Sequence, residues 1–172
     1  MKKSNVKLYN VIFPIWLLWL LPITWIVILP ANFIIDLIVI VLTLKCLKVE
    51  NIKNHAKSII FKVWIVGFIA DFIGTGVMLI SNVIDFDYST GTGKWWYENI
   101  TNAVSYNPFG SAYALLWVTF SVAVTALLIY LFNYNFVLRK SRLDNGQKKK
   151  LALSLAIFTA PYLFYLPTAW FY

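Results

Sequence analysis

Hydrophobic positions fall into four long runs, at residues 11–44, 59–80, 109–131 and 151–172, separated by stretches that hold most of the charge. The last three each have the length of one membrane-crossing helix, which needs about 20 apolar residues. The first is too long: its 34 residues, rising about 1.5 Å each, would make a rod of roughly 51 Å against a hydrocarbon core of ~30 Å. A fold-back is expected at Leu29-Pro30-Ala31-Asn32, because proline disfavours helix at the residue before it and asparagine suits a turn or a cap. The pattern therefore predicts an all-α polytopic membrane bundle with five transmembrane helices, at about 8–29, 31–48, 59–82, 108–137 and 151–171. These form one domain over residues 1–172, with an outer loop at 83–107. A re-entrant hairpin over the first pair would leave every later helix oriented in the same way. A signal peptide fits poorly: Met1-Lys2-Lys3 resembles its basic start, but the apolar run is too long and no small-residue cleavage site follows.

Two spacers carry their own helical pattern. Val49, Ile52, Ala56 and Ile59 share one face with Lys53 and Lys57 off it, which predicts a helix lying on the inner leaflet or docking a cytoplasmic partner such as an ATPase. In the outer loop Trp96, Ile100, Ala103 and Val104 share a face, which predicts a helix at the outer headgroups, with Trp95, Trp96, Tyr97 and Tyr106 in the aromatic belt. Asn107-Pro108 then reads as the cap and first turn of the fourth span. Pro161 and Pro167 interrupt the fifth span, where a freed carbonyl serves an ion or a hinge; membrane helices also tolerate proline routinely.

Composition agrees with a lipid solvent: 60% of the residues are hydrophobic and 13% charged, too few charges for a water-facing globule. Fourteen of the fifteen Lys and Arg residues lie before the first span, between Lys45 and Lys62, or between Arg139 and Lys150; Lys94 alone falls on the other side. The excess of cations in cytoplasmic loops puts the N-terminus in the cytoplasm and the C-terminus outside. The net charge of +8 then belongs to topology and to anionic lipid at the inner basic loops, and no reading residues accompany it that would suit nucleic acid. A single Cys and a single His leave no metal or cofactor ligand set.

Asp36 and Asp71 stand inside apolar spans, where each carboxylate costs about 2.5 to 3.5 kcal/mol on insertion scales. Asp36 is nine residues from Lys45 and Asp71 nine from Lys62, so both lie about 13 Å from the inner boundary. Two carboxylates at one level on adjacent helices are placed to share a proton or a cation. Asn32, Asp36 and Thr43 form a polar stripe on the second span. Gly67, Asp71, Gly74, Thr75 and Met78 share a face of the third, and Ser111, Ala114, Ser121 and Thr125 add a small, polar stripe on the fourth that would complete a cavity. Ala152, Ala156 and Ala160 make a small-residue ladder for close helix contact, within the bundle or with another subunit.

Enzyme motifs are incomplete. Around Gly91-Thr92-Gly93-Lys94 a phosphate loop would need glycine at Tyr88 and Ser or Thr at Trp95. An intramembrane aspartyl protease would need Gly-x-Gly-Asp, and the run here is Phe68-Ile69-Ala70-Asp71. Asp85-Phe86-Asp87 lacks the glycine-centred loop of a calcium site. The expectation is a non-enzymatic, cofactor-free protein of a bacterial cell membrane: a transporter-type protein or transport-complex subunit that handles a proton, cation or small cationic solute through Asp36 and Asp71. The rival is a membrane scaffold or assembly subunit in which the aspartates fix packing and the chain recruits a second copy, another membrane subunit or an ATPase.

Overall fold

The computed structural model describes residues 14, 16, 17 and 21–171; residues 1–13, 15, 18–20 and 172 lie outside the described set. Among the described residues the protein is all-helical. The elements are α1 (Trp25–Cys46), α2 (Ile52–Val83), α3 (Gly91–Trp96), α4 (Asn102–Tyr106), α5 (Ala112–Phe132) and α6 (Asn145–Phe158). α1 and α5 each pack against both α2 and α6, so the four long helices form a closed ring. Among the described residues three segments are long and apolar enough to cross a membrane: Pro22–Cys46, Ile52–Val83 and Ala112–Val137. That suits a membrane protein; of the five spans expected, most of the first lies outside the described residues.

The expected break at Pro30 is absent. A 3-10 turn at Pro22–Thr24 leads into α1, which runs through Pro30 to Cys46. Proline costs one backbone bond, here to the Ile26 carbonyl, and its ring crowds that turn. In lipid the alternative of unravelled backbone costs more, because nothing outside the chain satisfies the freed groups. Residues 22–29, read above as the end of a first span, therefore belong to the same helix as 31–46, and the remainder of that span falls largely outside the described residues. Trp16 is buried and its indole Nε1 donates to the Val104 carbonyl at 3.3 Å, which anchors this side chain beside α4.

The chain reverses instead at residues 47–51. Val49 N–H donates to the Leu44 carbonyl at 3.1 Å and Lys48 N–H to the Lys45 carbonyl at 3.0 Å, the bond pair of a Schellman cap. Lys48 (φ 53°) and Asn51 (φ 52°) take the left-handed conformations that the turn requires. α2 then starts at Ile52, so the stretch read as a separate surface helix is the first turns of a 32-residue helix. Its face is as expected: Ala56 and Ile59 are buried against Leu138 and Leu143, while Lys53 and Lys57 are exposed. This cluster also brings the loop after α1 and the loop before α6 to one end of the ring, so that end carries the basic residues from Lys45 to Lys62 and from Arg139 to Lys150.

At the opposite end α3, a π-helical turn at Tyr97–Thr101 and α4 run on without a break. Ile100, Ala103 and Val104 are buried with Met78 and Val118, and Trp96 packs on the same cluster. Thr101 Oγ1 donates to the Ser81 carbonyl at 2.8 Å and Ser105 Oγ to Asn82 Oδ1 at 3.0 Å, pinning this helical segment to the end of α2. The Asn107 side chain caps a short turn at Pro108–Gly110 before α5 begins.

The fifth expected span, 151–171, is helical only in its first part. A capping box of Asp144 and Gln147 starts α6 ahead of that span, and the helix ends at Phe158 after 14 residues, about 21 Å, too short to cross the core alone. Pro161 has no N–H and disfavours helix at Ala160. The carbonyl it leaves without a donor, on Ile157, accepts the Tyr162 hydroxyl at 2.5 Å. The chain continues as short 3-10 turns at Tyr162–Tyr165 and Thr168–Trp170, with Phe164 buried beside Trp16 and Met78.

Candidate functional site

The residues that make the membrane-facing helices costly converge between α1, α2 and the chain leaving α6. There they border a cavity of about 600 Å³. Asn32 and Asp36, one turn apart on α1, face it, as do Gly67 and Asp71, one turn apart on α2. Asp36 is only 6% exposed. A Cβ on Gly67 would lie 3.9 Å from Asp36 Oδ2, which places the carboxylate against this turn of α2. Asp71, one turn further along that helix, has its Oδ1 closed off from the surface, and no described residue donates a hydrogen bond to it.

The third wall is the broken end of α6. Phe158, Thr159, Ala160 and Pro161 border the cavity, so the helix presents its C-terminal pole there, where aligned peptide dipoles leave roughly half a negative charge. Irregular backbone at membrane depth occurs where it is enclosed by protein or lines a cavity, and this segment does so. Among the described residues lining the cavity there is no Lys, Arg or His. Two carboxylates and a helix C-terminus thus meet without a cation among the described residues that line the cavity, an arrangement that attracts positive charge. The described residues hold no group of three His, Cys, Asp or Glu side chains suited to a metal ion.

The remaining polar residues singled out in the sequence lie elsewhere. Thr75 is buried and its hydroxyl donates to the Asp71 carbonyl at 3.0 Å; Ser121 and Thr125 donate to the Trp117 and Ser121 carbonyls at 3.0 and 2.8 Å. All three turn back onto their own helices. Gly74 meets Thr125 so closely that a Cβ there would come within 1.9 Å of its Oγ1. The stripes on α2 and α5 therefore close a tight helix contact, where the sequence suggested that they complete a cavity. Thr43, one turn before the end of α1, does not border the cavity either. Ala152, Ala156 and Ala160 are all buried within the chain.

Sequence reasoning missed the aromatic part of the lining, including Trp16, Trp64 and Phe68. Trp64 also clamps α1 to α2, its Nε1 donating to the Leu29 carbonyl at 3.0 Å. The paired prolines at 161 and 167 are the one signal that marked the C-terminal segment as more than a plain helix. Compared with known protein families, with characterised proteins and with solved structures, the chain matches none.

Proposed function

We propose that this is a small transporter-type membrane protein, or the membrane subunit of a transport complex, in which Asp36 and Asp71 handle a proton, a cation or a small cationic solute. The observation that carries the reading is the convergence of both carboxylates and the broken end of α6 on one cavity whose described lining holds no cation to neutralise them. Carboxylates this costly persist in a membrane when they serve an ion or proton path or when a partner satisfies them, and no described residue satisfies Asp71 Oδ1. Discontinuous helices bordering a mid-membrane site are the recurrent device of secondary transporters. The scaffold reading loses its ladder, because the three alanines are buried inside the chain. In this proposal the basic end of the ring faces the cytoplasm of a cell, probed by anionic lipid, and the C-terminus lies outside.

The test is ion flux in proteoliposomes under an imposed proton or alkali-cation gradient, comparing the native chain with Asp36→Asn and Asp71→Asn, which keep shape and lose ionisation. Flux carried by the native chain and abolished in both variants is the expected outcome. Full flux in two variants that insert and remain folded would remove the proposal.

A further inference from the structure

The walls around the carboxylates say more about what the cavity holds. Seven aromatic side chains border it, Trp16, Trp64, Phe68 and Phe164 among them, and the rest of the surface is mainly aliphatic. Aromatic faces carry a negative quadrupole that attracts a cation lying over them, most strongly when water is excluded. A bare metal ion is a poor match: calcium takes six to eight oxygen ligands, and the described side chains bordering this space offer two carboxylates, one amide and the hydroxyls of Thr159 and Tyr162, both already donating to backbone carbonyls. A lone ion would also leave most of about 600 Å³ unfilled. That volume lies within the ~300–1,000 Å³ range of pockets that bury a small organic molecule.

We propose that the Asp36 and Asp71 cavity binds a bulky organic cation, its charged centre held by the two carboxylates and its apolar body by the ring-lined walls. With a neutral ligand no described residue lining the cavity would give the carboxylates a counter-charge, and they would have to take up protons or bear the cost of desolvation. An anionic ligand would meet two like charges and the negative pole of α6. The inference rests on the cation-handling reading above and narrows its substrate class.

The experiment titrates the full chain in lipid nanodiscs with tetraphenylphosphonium at mildly alkaline pH, subtracting empty nanodiscs and following heat and tryptophan fluorescence. Triphenylphosphine oxide serves as the neutral analogue. The expected result is saturable phosphonium binding, absent for the oxide and weakened ~10-fold or more by Asp36→Asn and by Asp71→Asn, as when one partner of a buried charge pair is lost. Asp71→Glu, which keeps the charge, retains binding, and Phe68→Leu, which keeps apolar bulk but removes a ring, weakens it severalfold. No saturable binding, equal binding of the oxide, or binding undiminished in both Asn variants overturns the inference. Should phosphonium fail to bind while alkali-cation or proton flux still depends on the carboxylates, the organic-cation inference falls and the proposed function stands. Flux and binding both indifferent to the carboxylates would remove the two together.

Discussion

Gly74 and Gly76 lie two residues apart on α2, and alanine at these positions should act in opposite directions. At Gly74 an added Cβ would come within 1.9 Å of Thr125 Oγ1 and 3.1 Å of Thr125 Cβ; at Gly76 it would meet nothing within 4 Å. Alanine gains about 1 kcal/mol over glycine in a helix interior, and that gain is available in full at position 76. At position 74 it is set against overpacking of about 1 to 3 kcal/mol. Gly76→Ala should therefore be neutral or stabilising, and Gly74→Ala destabilising by up to ~2 kcal/mol. Thr125→Ala removes the hydroxyl and methyl groups and leaves only the 3.1 Å contact, which a shift of a few tenths of an ångström relieves. In the double variant the cost at position 74 should shrink, giving a coupling of ~1 kcal/mol or more in a double-mutant cycle. Unfolding by sodium dodecyl sulfate in mixed micelles, followed by tryptophan fluorescence, measures all four species and Gly76→Ala beside them. If Gly74→Ala and Gly76→Ala behave alike, or the cycle is additive, the close α2 to α5 contact is wrong.

Gly93→Ala would push a Cβ to 2.1 Å from the Asp87 carbonyl oxygen, a backbone atom that cannot swing aside, whereas Gly91→Ala meets nothing within 4 Å. Limited proteolysis of the 83–90 loop should accelerate in the first variant and not in the second. Asp144→Ala removes the α6 cap, a loss of about 1 kcal/mol, and should speed hydrogen exchange at the Gln147 amide, which donates to Asp144 Oδ1 at 2.8 Å; unchanged exchange would contradict the capping role. The Ser89 N–H donates to Asp87 Oδ1 at 2.9 Å and holds that exposed carboxyl below the ordinary aspartate range. A lowered folded-state value means that its contribution to the turn is present above the ordinary range and is lost as pH falls through the lowered one. An NMR titration of Asp87 should give a midpoint below the ordinary aspartate value, and one at or above it would contradict the turn geometry.

Much of the helical layout is legible in the sequence because lipid imposes strong constraints. The spans read at 59–82 and 108–137 correspond to the segments Ile52–Val83 and Ala112–Val137, and the buried face of Ile100, Ala103 and Val104 follows from helical spacing alone. Pro30 misleads because its local preference is outweighed by the cost of breaking helix in an apolar solvent. Pro161 carries the same local preference and does end a helix, since Tyr162 supplies a donor to the freed carbonyl and the following chain finds protein to pack on. Proline's effect is decided by what its neighbours offer, and a linear sequence does not show neighbours. Asp36 and Asp71 stand out through their transfer cost, and equal spacing from Lys45 and Lys62 suggests one level. Which residues join them is less legible. Helical periodicity puts Gly74 and Asp71 broadly on one side of α2, but only packing shows Asp71 at the cavity beside α1 and Gly74 against Thr125 of α5. The aromatic lining is invisible for the same reason, since tryptophan and phenylalanine are common throughout this chain.

The claim on which the account depends is that Asp36 and Asp71 make one shared cavity attractive to positive charge. It is tested most directly by a cysteine placed at Asn32, beside Asp36 on the cavity wall, after the exposed native Cys46 is replaced by alanine. Its reaction rates with cationic and anionic methanethiosulfonates are measured in nanodiscs and normalised to a free thiol. A preference for the cationic reagent that falls in Asp36→Asn and again in Asp71→Asn is the predicted result. Equal rates for the two reagents, or a preference that survives both substitutions, would contradict it.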